Sequence, residues 1–200
     1  MKRLLLLLAL AASMLSIAPF THAMVLNYSA LLNGPNESPA NASPGTGFAT
    51  IVIDDALNTM QLNVTFANLI GTTTAAHIHC CTTAPFTGTV GVATTVPNFS
   101  LFPLGVTSGT YNVTLDLLSP SSYNPAFVSA HGGTPASAEA FLLNGIALNQ
   151  SYLNIHTTAF PGGEIRGFLV AVPEPGSAAL LAIGLIGLGG FLCRKRPVAA

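Results

Sequence analysis

The chain has 200 residues, 50% of them hydrophobic and only 6% charged, with a mean hydropathy of +0.59. Ordinary soluble domains carry roughly 25% charged residues, and a chain this apolar does not read as disordered. Five of the six cations sit at the two ends, so that between residues 24 and 171 Arg166 alone faces six acids, a net charge of −5. That distribution excludes a nucleic-acid binder, which needs clustered Lys and Arg to neutralise phosphates, and a polybasic lipid-binding surface.

Residues 1–23 read as a secretory signal peptide. Lys2 and Arg3 form a positive start, Leu4 to Ala12 an apolar stretch, and Thr21-His22-Ala23 places a small residue at the cleavage position. A domain from 24 to 171 follows, a common size for one domain. Val25–Leu32 predicts a first strand, closed by Asn33-Gly34-Pro35-Asn36 and a Pro/Gly/Ser/Asn loop running to Gly45. Residues 48–54 mix β-branched residues as a buried strand does, and Asp54-Asp55-Ala56-Leu57-Asn58 connects them to a cleanly alternating strand over Met60–Phe66.

Thr74–His79 and Thr89–Ala93 predict shorter strands, and Thr110–Leu117 another alternating one. Ala136–Leu143 favours a helix that Gly145 ends. Tyr152–Thr157 and Glu164–Val170 are the last strands. Many short strands between Gly/Pro turns imply a mainly β domain, an antiparallel Greek-key-like β-sandwich with one short inserted helix.

Residues 172–200 form a separate segment. Val172-Pro173-Glu174-Pro175-Gly176 precedes an apolar run over 177–193, and Arg194-Lys195-Arg196 follows. As a helix the run is about 25 Å long, the short end of a transmembrane span. The basic cluster would stay cytoplasmic, leaving the domain outside the inner membrane.

This order resembles the PEP-CTERM sorting signal of Gram-negative bacteria. The resemblance implies an exosortase-type membrane protease or transferase as partner, with Pro173, Glu174, Pro175 and the basic residues Arg194, Lys195 and Arg196 as its recognition residues. It also implies export, transient anchoring in the inner membrane through the C-terminal helix, and delivery to the cell surface or beyond.

Within the domain, His77-Ile78-His79 lies on a predicted strand, where residues i and i+2 project to one face. Two imidazoles at that spacing can converge on one metal ion, and Asn154-Ile155-His156 offers a third from another strand. Glu164, Cys80 and Cys81 complete the candidate set, with copper or zinc as the ion such donors favour. The adjacent cysteines have three readings: a vicinal disulfide, metal ligands, or free thiols. Glu164 and Arg166 share a strand face and form a candidate structural ion pair, with another acid as the alternative partner for Arg166.

Ala75-Ala76-His77-Ile78-His79, Tyr152-Leu153-Asn154-Ile155-His156-Thr157 and Phe160-Pro161-Gly162-Gly163-Glu164-Ile165-Arg166-Gly167 together resemble the CHRD domain, a module of chordin and of many bacterial secreted proteins. Leu31-Leu32-Asn33-Gly34 with Glu37 and Pro39 resembles the start of the same pattern, and Cys80-Cys81 stands where family members often carry Gly. The resemblance implies a non-enzymatic, extracytoplasmic binding or structural module with no catalytic residues, whose ligand is an extracellular protein or polysaccharide. The alternative is a metal-dependent oxidoreductase similar in outline to copper/zinc superoxide dismutase. Against it, the chain has no His/Asp-rich metal loop, and its domain lacks the positive rim that would steer superoxide.

Overall fold

The computed structural model describes residues 25–173. The predicted signal peptide, Glu174, Pro175, the apolar run over 177–193 and Arg194, Lys195 and Arg196 lie outside the described residues; Pro173 is inside and exposed.

Eight strands form one antiparallel sheet. In chain order they are β1 (Val25–Asn33), β2 (Thr46–Asp54), β3 (Thr59–Ala67), β4 (Thr73–His79), β5 (Gly109–Asp116), β6 (Tyr152–Thr157), β7 (Ile165–Phe168) and β8 (Val170–Ala171). The spatial order is β4-β6-β7-β1-β2-β3-β5, with β8 also paired to β1. Period-two alternation sets the inner face of β2 and β3: Ala49, Ile51, Ile53, Met60, Leu62 and Val64 are buried. Their hairpin is closed by Asp54, whose Oδ1 accepts the N–H groups of Ala56 and Leu57 at 3.0 Å each. Asn58 takes the left-handed φ of 52° that lets the chain reverse.

Ile78 of β4 and Leu62 of β3 share one hydrophobic core, although β4 and β3 lie at opposite limbs of the sheet. The sheet therefore curls around that core. Residues 99–107 span its two edges: Phe99 N–H donates to Ala76 O on β4, Thr73 N–H donates to Val106 O, and Tyr111 Oη on β5 donates to Ser100 O at 2.9 Å. The exposed edges of β4 and β5 are thus partly covered by the chain itself.

Two helices sit between β5 and β6, where one was predicted. Helix α1 (Pro125–Ala130) starts at Asn124, whose side chain accepts from Ala126 N–H, with Pro at its first turn. Helix α2 (Pro135–Ala147) has a reciprocal Thr134/Ser137 capping box and buries Ala138, Leu142 and Ile146 at four-residue spacing. Gly145 does not end α2, which continues to Ala147. A Cβ at Gly145 would collide with the sulfur atoms of Cys81 and Cys80, so glycine here permits close approach to the cysteine pair. The predicted strand at Thr89–Ala93 is also absent: only Val92 bridges to His79, and the segment instead lies across the histidine-bearing face of β4.

Candidate functional site: three histidines on the outer face of β4 and β6

Ala76 and Ile78 of β4, and Leu153 and Ile155 of β6, point into the hydrocarbon core. The alternate residues point the other way. Register pairs Ala75 with His156, His77 with Asn154 and His79 with Tyr152, so His77, His79, His156, Asn154 and Tyr152 share the outer face. β7 extends that face with Arg166 beside Asn154 and Phe168 beside Tyr152. The face is not wet: His77 and His79 are only 6% and 8% exposed.

One ligand nitrogen from each of His77, His79 and His156 lies within 4.8 Å of the other two. Each ring uses its outward nitrogen on a backbone carbonyl: His77 Nε2 on Pro97 O at 2.6 Å, His79 Nδ1 on Val90 O at 2.8 Å, and His156 Nδ1 on Pro161 O at 2.9 Å. A carbonyl only accepts, so each of these nitrogens carries the proton. In a neutral ring the remaining nitrogen then presents a lone pair. Those remaining nitrogens, His77 Nδ1, His79 Nε2 and His156 Nε2, are buried and have no hydrogen-bond partner.

Burial lowers all three pKa values, for His79 to about 4, with the backbone hydrogen bonds opposing the shift. The rings are neutral at physiological pH, the state in which imidazole binds metal. Fixing the outer N–H on a carbonyl is the usual way a protein orients a ligating histidine. Tyr152 adds to the support for His79. Its ring stacks on the imidazole at 4.8 Å with a 5° tilt, and the Arg166 guanidinium covers the same phenol ring at 4.7 Å.

The other candidate residues have different places. Glu164 is fully buried and stands apart from the three histidines. One carboxylate oxygen accepts from Ser43 Oγ and Ile70 N–H at 2.6 Å each, the other from Thr157 Oγ1 at 2.6 Å and Gly71 N–H at 3.1 Å. Burial alone would raise its pKa, but these hydrogen bonds outweigh it and hold the carboxyl below its ordinary value. Its lone pairs are committed, which removes it as a metal ligand.

Nor does Glu164 pair with Arg166. Arg166 Nε lies 3.8 Å from Glu37 Oε2, and its guanidinium also donates to Asn36 O and Gly88 O. Glu37 comes from the irregular chain after β1, whose turn brings it across the face of β7. Cys80 and Cys81 form a disulfide with each other and pack against Gly145 of α2, which leaves no thiolate for a metal.

Glu37 and Asn154 also reach this face, and strand periodicity did not single them out. Glu37 Oε1 and Asn154 Oδ1 are buried without hydrogen-bond partners, and both crowd the position a Cβ would take at Gly163, whose φ is +131°. Burial raises the Glu37 pKa to about 7, more than the nearby Arg166 lowers it. The spacing Tyr152-x-Asn154-x-His156, three polar-tipped residues at period two, is the sequence signal that they share one face.

The curled antiparallel sheet and its buried histidine face define a mainly β module whose core is built separately from its polar site. The CHRD domain family matches residues 28–169, and the chain belongs to that family. The PEP-CTERM protein-sorting motif matches residues 171–196, which marks the protein for export and exosortase-dependent sorting in Gram-negative bacteria. No curated protein and no solved structure matches the chain. Family and motif together point to a sorted structural module. Among the described residues no helix is long and apolar enough to cross a membrane.

Proposed function

We propose that the protein is an extracytoplasmic, surface- or matrix-associated binding module that holds one copper or zinc ion at His77, His79 and His156. The observation that carries this reading is the convergence of three buried, partnerless imidazole nitrogens whose opposite nitrogens are each fixed by a carbonyl. An unsatisfied buried polar atom costs about 1–3 kcal/mol, and three in one place are retained only if something else satisfies them. A transition-metal ion fits the donor chemistry: imidazole suits zinc and copper.

Bound there, the ion would cross-link β4 to β6 and tie in the carbonyl-bearing segments at Val90, Pro97 and Pro161. That is a structural or ligand-presenting role and needs no catalytic group. The sorting motif supports the location: Pro173, Glu174 and Pro175 with Arg194, Lys195 and Arg196 serve an exosortase-type enzyme, which processes the tail after transient anchoring in the inner membrane.

Elemental analysis of the full chain in detergent tests the site. The expected result is about one equivalent of copper or zinc per chain, lost in the His77→Ala/His79→Ala variant. Metal content no higher in the native chain than in that variant overturns the reading. For sorting, Glu174→Ala should leave the tail unprocessed in the producing cell; normal processing contradicts the assignment.

A further inference from the structure

The three-histidine site has an unusual charge. All three donors are neutral, and among the described residues no fourth His, Cys, Asp or Glu joins the group. The nearest candidate anions are committed elsewhere. Glu164 is saturated by four donors, Glu37 faces Arg166 through one oxygen and stands outside the three-histidine group, and the cysteine sulfurs are joined to each other. Arg166, a fixed positive charge, lies against the Tyr152 ring, which stacks on His79. The cage therefore supplies no negative charge to a buried cation.

The cost of moving an ion out of water grows with the square of its charge, so a dication pays about four times what a monocation does in the same cage. At a three-histidine site zinc(II) takes a water as its fourth ligand, and here His77 and His79 are buried. Monovalent copper carries half the charge and is content with three nitrogen donors. Resting on the three-histidine reading above, we infer that the site discriminates for Cu(I) over Zn(II), and that the absence of carboxylate ligands, together with Arg166, is the source of that selectivity. The ion is bound as supplied, so no electron transfer is part of the proposal.

The test is a competition on the full chain in detergent under anaerobic conditions. Cu(I) is buffered with bathocuproine disulfonate and Zn(II) with a zinc chelator, and the bound metal is read by native mass spectrometry. The expected result is one Cu(I) per chain, held about 100-fold more tightly than Zn(II), a gap of about 2.7 kcal/mol. In Arg166→Gln the gap should narrow through stronger zinc binding; thermal melts of that variant show whether it is folded. If Zn(II) binds one-to-one as tightly as Cu(I), or more tightly, the copper inference fails while the three-histidine site stands. If neither ion binds at the histidines, both fail. The native-chain comparison decides the matter even if the variant does not fold.

Discussion

Glu164, just before β7, and the three histidines of β4 and β6 are two buried polar sites, and they solve the same problem in opposite ways. The Glu164 carboxylate is met by four donors from Ser43, Ile70, Gly71 and Thr157, so nothing is left for a ligand. The histidines are held as firmly at their outer nitrogens, yet their inner nitrogens converge with no partner. A satisfied buried network rigidifies a fold; on the proposal above, the organised but unsatisfied one is half of a binding site. Glu37 lies between these cases: Arg166 faces one of its oxygens and the other has no partner.

That contrast orders the expected effects. Glu164→Ala should be the most damaging change, because it strands four donors, three of them buried; a loss of about 3–5 kcal/mol in denaturant unfolding is expected. A loss under about 1 kcal/mol would mean the network is replaceable by water.

Glu37 should give the next largest signal, as a pH dependence. Its folded pKa of about 7 lies above the ordinary 4.5, so the folded state binds the extra proton. The stabilisation is complete below about pH 4.5 and fades as pH rises through 7, a swing on the order of 3 kcal/mol. Glu37→Gln should flatten the profile across that window; an unchanged slope would place the titration elsewhere.

Metal should stabilise the native chain by about 2.7 kcal/mol when the free ion stands at 100 times its dissociation constant. Thermal melts of His77→Ala/His79→Ala should show no such gain, and an equal gain there would move the ion to another site. Gly145→Ala should cost about 1–3 kcal/mol, since its Cβ has no room beside the cysteine pair. Full tolerance would show that α2 can slide away.

The smallest effect belongs to the histidines themselves without metal. His79→Phe keeps the stack on Tyr152 and removes a partnerless nitrogen, but it also takes the Nδ1–H donor from Val90 O, so metal-free stability should fall by only about 1 kcal/mol. A loss as large as that of Glu164→Ala would make the histidines a structural network like the carboxylate.

Much of this was legible in the sequence because strand periodicity is local. His77-x-His79 and His156 lie on strands whose alternation is readable, and antiparallel pairing needed only to bring β4 beside β6. The long alternating strands β2, β3 and β5 were readable for the same reason. The partner of Arg166 was not, because Glu37 sits in an irregular segment and reaches Arg166 through tertiary folding alone. Glu164 offered the nearer and wrong choice: strand spacing says which face a carboxylate occupies, not how many donors already surround it.

Gly145 shows the same limit. Read locally, glycine closes a helix; in the fold it makes room for Cys80 and Cys81, which are distant in sequence. Helix α1 is short enough that its Asn124-Pro125 start is its main sequence signature.

Metal K-edge X-ray absorption on the loaded full chain is the most direct test of the central claim, that His77, His79 and His156 hold the ion together. The account predicts a first shell of nitrogen at about 2.0 Å with the outer-shell scattering of imidazole rings, absent from the His77→Ala/His79→Ala variant. A sulfur shell at about 2.3 Å, or a first shell without imidazole scattering, would contradict it.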